Sequence, residues 1–441
     1  MKRLLTGLNV LLILFLLAAC AAPNVPAPTS APSGNTNQPM PSTIAISNKT
    51  RVTNPSVPAD QISQLVQGNN AFAFDLYHAL LDPSASNLFY SPYSISVALA
   101  MAQAGASGNT LSQMNQALHY TLPGASLHQA FNALQLDLAS RQKSSDPSAP
   151  DDFQLNIANA TWGQSGYTFL PAYLDVLAEN YGAGLRLVDF KADPEAARQA
   201  INDWVSQQTA QKIKDLVPQG AIDALTRLVL ANAIYFKAGW LNTFNADRTA
   251  PGSFTGLDGK ANTVQMMNQQ SGFSYYDGGS YQAIELPYAS DKLSMLVLMP
   301  SAGKFADFEK SLDAAQLESI RQNLSENTVQ LSFPKFKIES EFSLGSALSK
   351  LGMSDAFDPN KADFSGMDGT HDLSISSVVH KSYVSVDENG TEAAAATAIM
   401  VGLTSMPANI VDLKIDHPFI FLIQDNQTGA ILFVGRVTTL S

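Results

Sequence analysis

The 441 residues carry a net charge of −12 and a sequence pI near 4.9. No Lys/Arg stripe is present to neutralise phosphates, which argues against nucleic acid as a partner. Hydrophobic residues make up 45% and charged residues 15%, the balance of a globular chain with a sizeable core, and the length is a soft prior for two or three domains.

The single cysteine, Cys20, excludes an internal disulfide, a thiolate metal cluster and a cysteine nucleophile from the body of the protein. It closes a segment with a distinct pattern. Met1-Lys2-Arg3 is basic, Leu4 to Leu17 is almost wholly apolar, and Leu17-Ala18-Ala19-Cys20 ends it. The apolar run is short for a membrane span and ends in small residues, so residues 1–20 read as a secretory signal. Leu-Ala-Ala-Cys also resembles the bacterial lipobox. That resemblance implies a lipoprotein signal peptide, with acylation of Cys20, which then becomes the N-terminus; this is the preferred reading, with an ordinary signal peptide as the alternative. Either way the body is expected outside the cytoplasm, lipid-anchored to a bacterial membrane or secreted.

Residues 21–59 hold eight prolines, many Ser, Thr and Asn, and no Asp or Glu. With no hydrophobic period, they read as a disordered tether. The folded part, 60–441, is expected to begin with a helix. Ile62, Leu65, Val66, Phe72, Ala73, Leu76 and Leu80 recur at helical spacing, with Asp60 as N-cap. A short strand at Asn87 to Pro92 precedes an almost fully apolar helix, Ile95 to Ala104, and two further helices. Phe153 to Trp162 reads as a strand and Glu195 to Leu216 as a helix, and the apolar run Leu228 to Phe236 as a strand buried on both faces. Strands then dominate: Tyr281 to Leu286, Leu293 to Met299, Thr328 to Ile338 and Ser377 to Val386. Helices are expected at Phe305 to Leu324 and Leu344 to Leu351. Phe419 to Ile423 and Ile431 to Val437 form a closing hairpin. Helices before strands, without regular alternation, give an α+β class.

Chemical motifs are sparse. There is no Gly-x-Ser-x-Gly elbow, no phosphate loop and no dinucleotide fingerprint, and none of the six histidines forms a helical metal pair. The prior for an enzyme falls accordingly, and no metal or cofactor is signalled.

One stretch stands apart. Val386-Asp387-Glu388-Asn389-Gly390-Thr391-Glu392 leads into Ala393, Ala394, Ala395, Ala396 and Thr397, and no proline follows Thr391 until Pro407. As a strand, Thr391, Ala393, Ala395, Thr397, Ile399 and Val401 share one face, and Glu392, the only charge, falls on the other. Such a segment can enter a sheet without burying a charge or losing an amide donor. Composition equally allows a short helix capped by Thr391, or a linker.

Glu388 to Thr397 resembles the hinge of inhibitory serpins, the serine protease inhibitor family. Further stretches resemble that family in the same order: Asn70 to Tyr77, Asn87 to Ala104, Ile201 to Val217, Asn232 to Lys237 with Trp240, and Asp416 to Phe421. The resemblance implies a single domain of three β-sheets and eight or nine helices with an exposed reactive-centre loop. It also implies a monomeric suicide inhibitor with no enzyme activity, which a target serine protease attacks to form a covalent acyl-enzyme. The hinge would be Glu388, Gly390, Thr391, Glu392 and Ala393 to Ala396. The family's 17-residue spacing puts the scissile bond at Thr404–Ser405, with Leu403–Thr404 as the alternative. Threonine there suits an elastase-like or subtilisin-like protease, and leucine a chymotrypsin-like one. Ser91, Ser94, Asn232 and His380 match the family's shutter and Trp240 its breach. No Lys/Arg cluster marks a heparin-type cofactor site. A non-inhibitory serpin, acting as a binding or chaperone-like module, is the competing expectation.

Overall fold

In the computed structural model the described residues are 43–81, 87–141, 154–289, 291–392 and 409–441. β1 (Thr43–Ala45) precedes α1 (Ala59–Leu80), which buries Leu65, Val66, Phe72 and Leu76 along one face. Asp60 is not the N-cap. Pro58 holds that position, and Asp60 lies in the first turn, where a carboxylate suits the positive end of the helix dipole. β2 (Leu88–Tyr90) stops at Ser91, whose Oγ accepts from the Ser94 amide and caps α2 (Pro92–Gln103). Every residue of α2 is buried, as its unbroken apolar composition demands.

α3 (Gly108–Ala117) and α4 (Gly124–Ser140) follow, then β3 (Gln154–Gln164), α5 (Pro171–Tyr181), β4 (Leu185–Val188), α6 (Pro194–Gln208) and β5 (Leu228–Gly239). α6 is shorter than the helix expected over Glu195 to Leu216. Thr209 bonds back to the Val205 carbonyl through its backbone amide and its Oγ1, and Ala210 and Gln211 take positive φ, which ends the helical ladder. Strands then dominate: β6 (Ala250–Thr255), β7 (Ala261–Asp277), β8 (Tyr281–Pro287) and β9 (Leu293–Pro300). The helix expected over Phe305 to Leu324 is two, α7 (Phe305–Ser311) and α8 (Ala314–Asn323), because Asp313 accepts from the Gln316 amide and starts the second. The strand expected over Thr328 to Ile338 is also two, β10 (Ser325–Pro334) and β11 (Phe336–Ser343), which break at Lys335 and join different sheets. α9 (Gly345–Lys350), α10 (Ser365–Asp368), β12 (Ile375–Asp387), β13 (Gly390–Thr391), β14 (Val411–Lys414), β15 (Phe419–Asp425) and β16 (Ile431–Val437) complete the order.

The main sheet has seven strands in the order β1-β4-β3-β5-β13-β12-β11. The other runs β14-β10-β7-β8-β9-β15-β16-β2, with β6 on the flank of β7. Three sheets were expected; here the second and third are continuous, because the 17-residue β7 pairs with β6 at its start and β8 at its end. α2 packs against β3, β5 and β16, so it lies between the sheets, and α6 covers the opposite face of β3 and β5. In the space between, Phe89 stacks on Phe421 and Phe433, and Phe236 packs at a tilt against Phe433.

The expected tether, residues 21–59, needs correction over its described part. β1 pairs antiparallel with β4, from Thr43 opposite Leu187 to Ala45 opposite Leu185. The Val52 amide donates to Glu179 O at 2.9 Å, and Asn132 Nδ2 donates to Val52 O at 2.7 Å. The open edge of β4 and the end of α5 thus supply partners for backbone groups that proline-rich composition suggested would stay in water. Residues 1–42, with Cys20, lie outside the described residues.

Candidate functional site

β5 and β12 run parallel from Leu228 beside Ile375 to Tyr235 beside Tyr383. Beyond that point the two-residue β13 sits between them, antiparallel to both. A tight turn at Glu388–Asn389 folds β13 back on β12, so that Gly390 faces Asp387 and Thr391 faces Val386. Gly390 also opposes Gly239 of β5. Its φ is 151°, and an added Cβ would meet Ala238 O at 2.1 Å, so only glycine fits.

The bonds at this entry point hold the turn from several sides. The Trp240 amide donates to Asn389 O at 2.8 Å and its Nε1 donates to Asp387 O at 2.9 Å. The indole stacks on Tyr288 with centroids 4.7 Å apart, and the Tyr288 hydroxyl meets Thr391 Oγ1 at 2.7 Å. Thr391 is completely buried. Glu388 accepts from Lys335 Nζ at 2.7 Å and Thr249 Oγ1 at 2.8 Å. Burial works against its charge, but those two bonds prevail and hold the carboxyl below its usual range. Glu392 has positive φ and is ion-paired with Lys212.

Further along the same pair of strands lies a buried polar cluster. His380 Nε2 accepts from the Ser91 amide at 3.2 Å, so that nitrogen carries no proton. Nδ1 therefore holds the proton and donates to Asn232 Oδ1. Asn232 Nδ2 donates to Ser94 Oγ at 2.6 Å and to Asn159 Oδ1. Asn159 Nδ2 returns a bond to Ser94 O at 3.1 Å, and Ser91 Oγ donates to Leu432 O at 2.6 Å. Burial pushes the His380 imidazole down to about 3, so it is neutral at physiological pH. The cluster pins β5 to β12 and both to the start of α2.

The structure thus brings Ser91, Ser94, Asn232 and His380 together, and Trp240 onto Asp387 and Asn389 in the turn that holds Glu388 and leads into Gly390 and Thr391. The sequence reading missed Tyr288, Thr249, Lys335 and Asn159, which reach these groups from positions far away in the chain. Ala393 to Ala396, Leu403, Thr404 and Ser405 lie outside the described residues.

The central strands of the main sheet are thus parted at one end by a two-residue wedge. The chain matches the family model described as "Serpin (serine protease inhibitor)" over residues 67–440, and it belongs to that family. Serpins are protease inhibitors, not enzymes.

Among curated relatives it is 41% identical to an uncharacterized serpin-like protein of Thermococcus kodakarensis, covering 86% of each chain. It is 39% identical to human leukocyte elastase inhibitor, covering 86% of this chain and all of that one. Among solved structures it superposes on the thermophilic serpin tengpin in the native state with a TM-score of 0.79 at 28% identity, over 90% of this chain and 100% of that one. Uncleaved ovalbumin gives 0.75 at 28%, over 86% and 100%.

Proposed function

We propose that this protein is a suicide inhibitor of extracytoplasmic serine proteases with elastase-like or subtilisin-like specificity. The observation that supports it most is the position of β13. Gly390 and Thr391 are already hydrogen-bonded between β5 and β12, and Thr391 points its side chain into the core beside Tyr288. A strand continued from there would place Ala393, Ala395, Thr397, Ile399 and Val401 on the Thr391 face, all small or β-branched. Nothing charged would then be buried.

In this reading the protease serine attacks the Thr404 carbonyl, the bond to Ser405 breaks, and the new amine leaves with its proton on the C-terminal segment. The freed loop inserts, and the acyl-enzyme is trapped before water can resolve it. The energy comes from a native state held by a kinetic barrier. The identity to leukocyte elastase inhibitors supports an apolar protease pocket as the target. A monomer acylated on Cys20 would display this loop at a membrane surface.

Incubation with elastase-like and subtilisin-like proteases should give a complex that survives denaturing gels. The released C-terminal fragment should begin at Ser405 by mass spectrometry; a start at Thr404 moves the bond to Leu403. Cleavage by every protease without a stable complex would make the protein a non-inhibitory serpin. Fatty-acid labelling lost in Cys20→Ser tests the anchor separately.

A further inference from the structure

A cavity of about 250 Å³ lies between α2, α4 and β3, and the guanidinium of Arg51 reaches into it. Arg51 belongs to the segment before α1, outside the residues that the family model matches. The segment is fixed there by the two bonds of Val52 to Glu179 and Asn132. Gly182, in the left-handed conformation at the end of α5, makes room for the Arg51 stem: an added Cβ would stand 3.0 Å from its Cδ.

The head group is held but not neutralised. Arg51 Nε donates to Asn132 Oδ1 at 2.8 Å and Nη2 donates to Gln135 Oε1 at 2.7 Å. A guanidinium has five N–H groups, and both acceptors here are neutral amides. The ionisable groups facing it are the hydroxyls of Tyr93 and Tyr181, and among the described residues no carboxylate pairs with it. Tyr93 lines the same cavity, is completely buried, and its hydroxyl has no hydrogen-bond partner among the described residues. A half-buried cation anchored only by amide oxygens and a buried hydroxyl without an acceptor both call for an anionic oxygen. The rest of the wall is mixed: Gln135 and Asn159 are polar, while Val97, Leu138 and Leu155 supply an apolar side.

We propose that this cavity binds a small organic carboxylate, its head group on Arg51 and Tyr93 and its apolar tail against Val97, Leu138 and Leu155. The volume falls just below the roughly 300–1,000 Å³ of drug-sized pockets, so the occupant is a short chain or a single ring. A bare inorganic anion would satisfy Arg51 but leave the apolar wall uncovered.

Isothermal titration of the purified full chain with octanoate tests this, with octanol and inorganic phosphate as the two half-ligands. Octanoate should bind one site more tightly than either. Arg51→Gln should weaken it about ten- to a hundredfold, the usual worth of a charged hydrogen-bond pair, and Tyr93→Phe should weaken it less. Ala139→Trp, on the exposed rim of the cavity, should block octanoate while leaving the Arg51 contacts intact. Circular dichroism confirms that each variant is folded. The proposal is overturned if octanoate binds no better than octanol, if phosphate binds as well as octanoate, or if folded Arg51→Gln and Ala139→Trp both bind like the parent.

Discussion

The entry point around Trp240 and the cluster around His380 hold the same two strands together by opposite means. At the entry point the strands are already parted, and the gap is filled by Gly390 and Thr391, clasped by one indole, one phenol and a partly exposed ion pair. At the cluster the strands are closed, and every link is a neutral hydrogen bond removed from water. A wedge tolerates exchange of one inserted residue for the next, since each new residue finds the same backbone partners. A sealed polar cluster must break as a unit, because any member left alone carries the full cost of an unsatisfied buried group. If a strand enters here, as the proposed mechanism requires, entry is easy to begin and gated further in.

The largest expected effect comes from breaking the wedge. Thr391→Arg would put a charge where a fully buried hydroxyl meets Tyr288. Denaturing gels should show the protease complex falling more than tenfold while cleavage of the loop continues. Next is Asn232→Ala, which strands His380 Nδ1, Ser94 and Asn159 together. It should cost on the order of 3 kcal/mol, seen as about a hundredfold faster unfolding in denaturant, provided the cluster is intact until the main barrier.

Acid should separate the two regions. The folded His380 imidazole titrates far below the ordinary value of 6.5, so the unfolded state binds the extra proton. Stability is full above pH 6.5 and falls as pH drops from there toward about 3, by about 2 kcal/mol at pH 5. His128, which burial lowers to about 4, contributes in the same window. His380→Gln should therefore flatten part of the dependence of unfolding rate on pH, and an unchanged slope would assign it all to His128. The depressed Glu388 carboxyl acts lower still: its contribution is present above its ordinary range and is lost only as pH falls through the folded value. Trp240→Phe, which keeps the ring stack but loses the bond to Asp387, should cost about 1 kcal/mol. Glu388→Gln is the smallest, under about 1 kcal/mol, since Lys335 is partly exposed.

Much of this was legible in the sequence, and the misses have two causes. The runs Leu228 to Phe236 and Ile95 to Ala104 announced a buried strand and a buried helix because burial on all sides leaves no polar period to disguise. Gly390 and Thr391 were recognisable through their resemblance to the serpin hinge, since composition alone equally allowed a helix or a linker. Tyr288, Lys335 and Asn159 were not, since each acts through a partner far away in the chain and has nothing unusual beside it. Lys335 was hidden inside one apparent strand, although Pro334 marks the place where the chain leaves one sheet for the other. Residues 43–58 failed for another reason. Their order is conferred by the edge of β4 and by α5, so no local pattern records it.

That edge has a further consequence. An open strand edge is a template on which another copy of the chain can add itself. One border of the main sheet is covered by β1, a three-residue strip laid along β4. The other, β11, turns Lys337, Glu339 and Glu341 outward at alternate positions, so an approaching strand would meet fixed charge along its length. The main sheet is thus guarded against its neighbours at both borders.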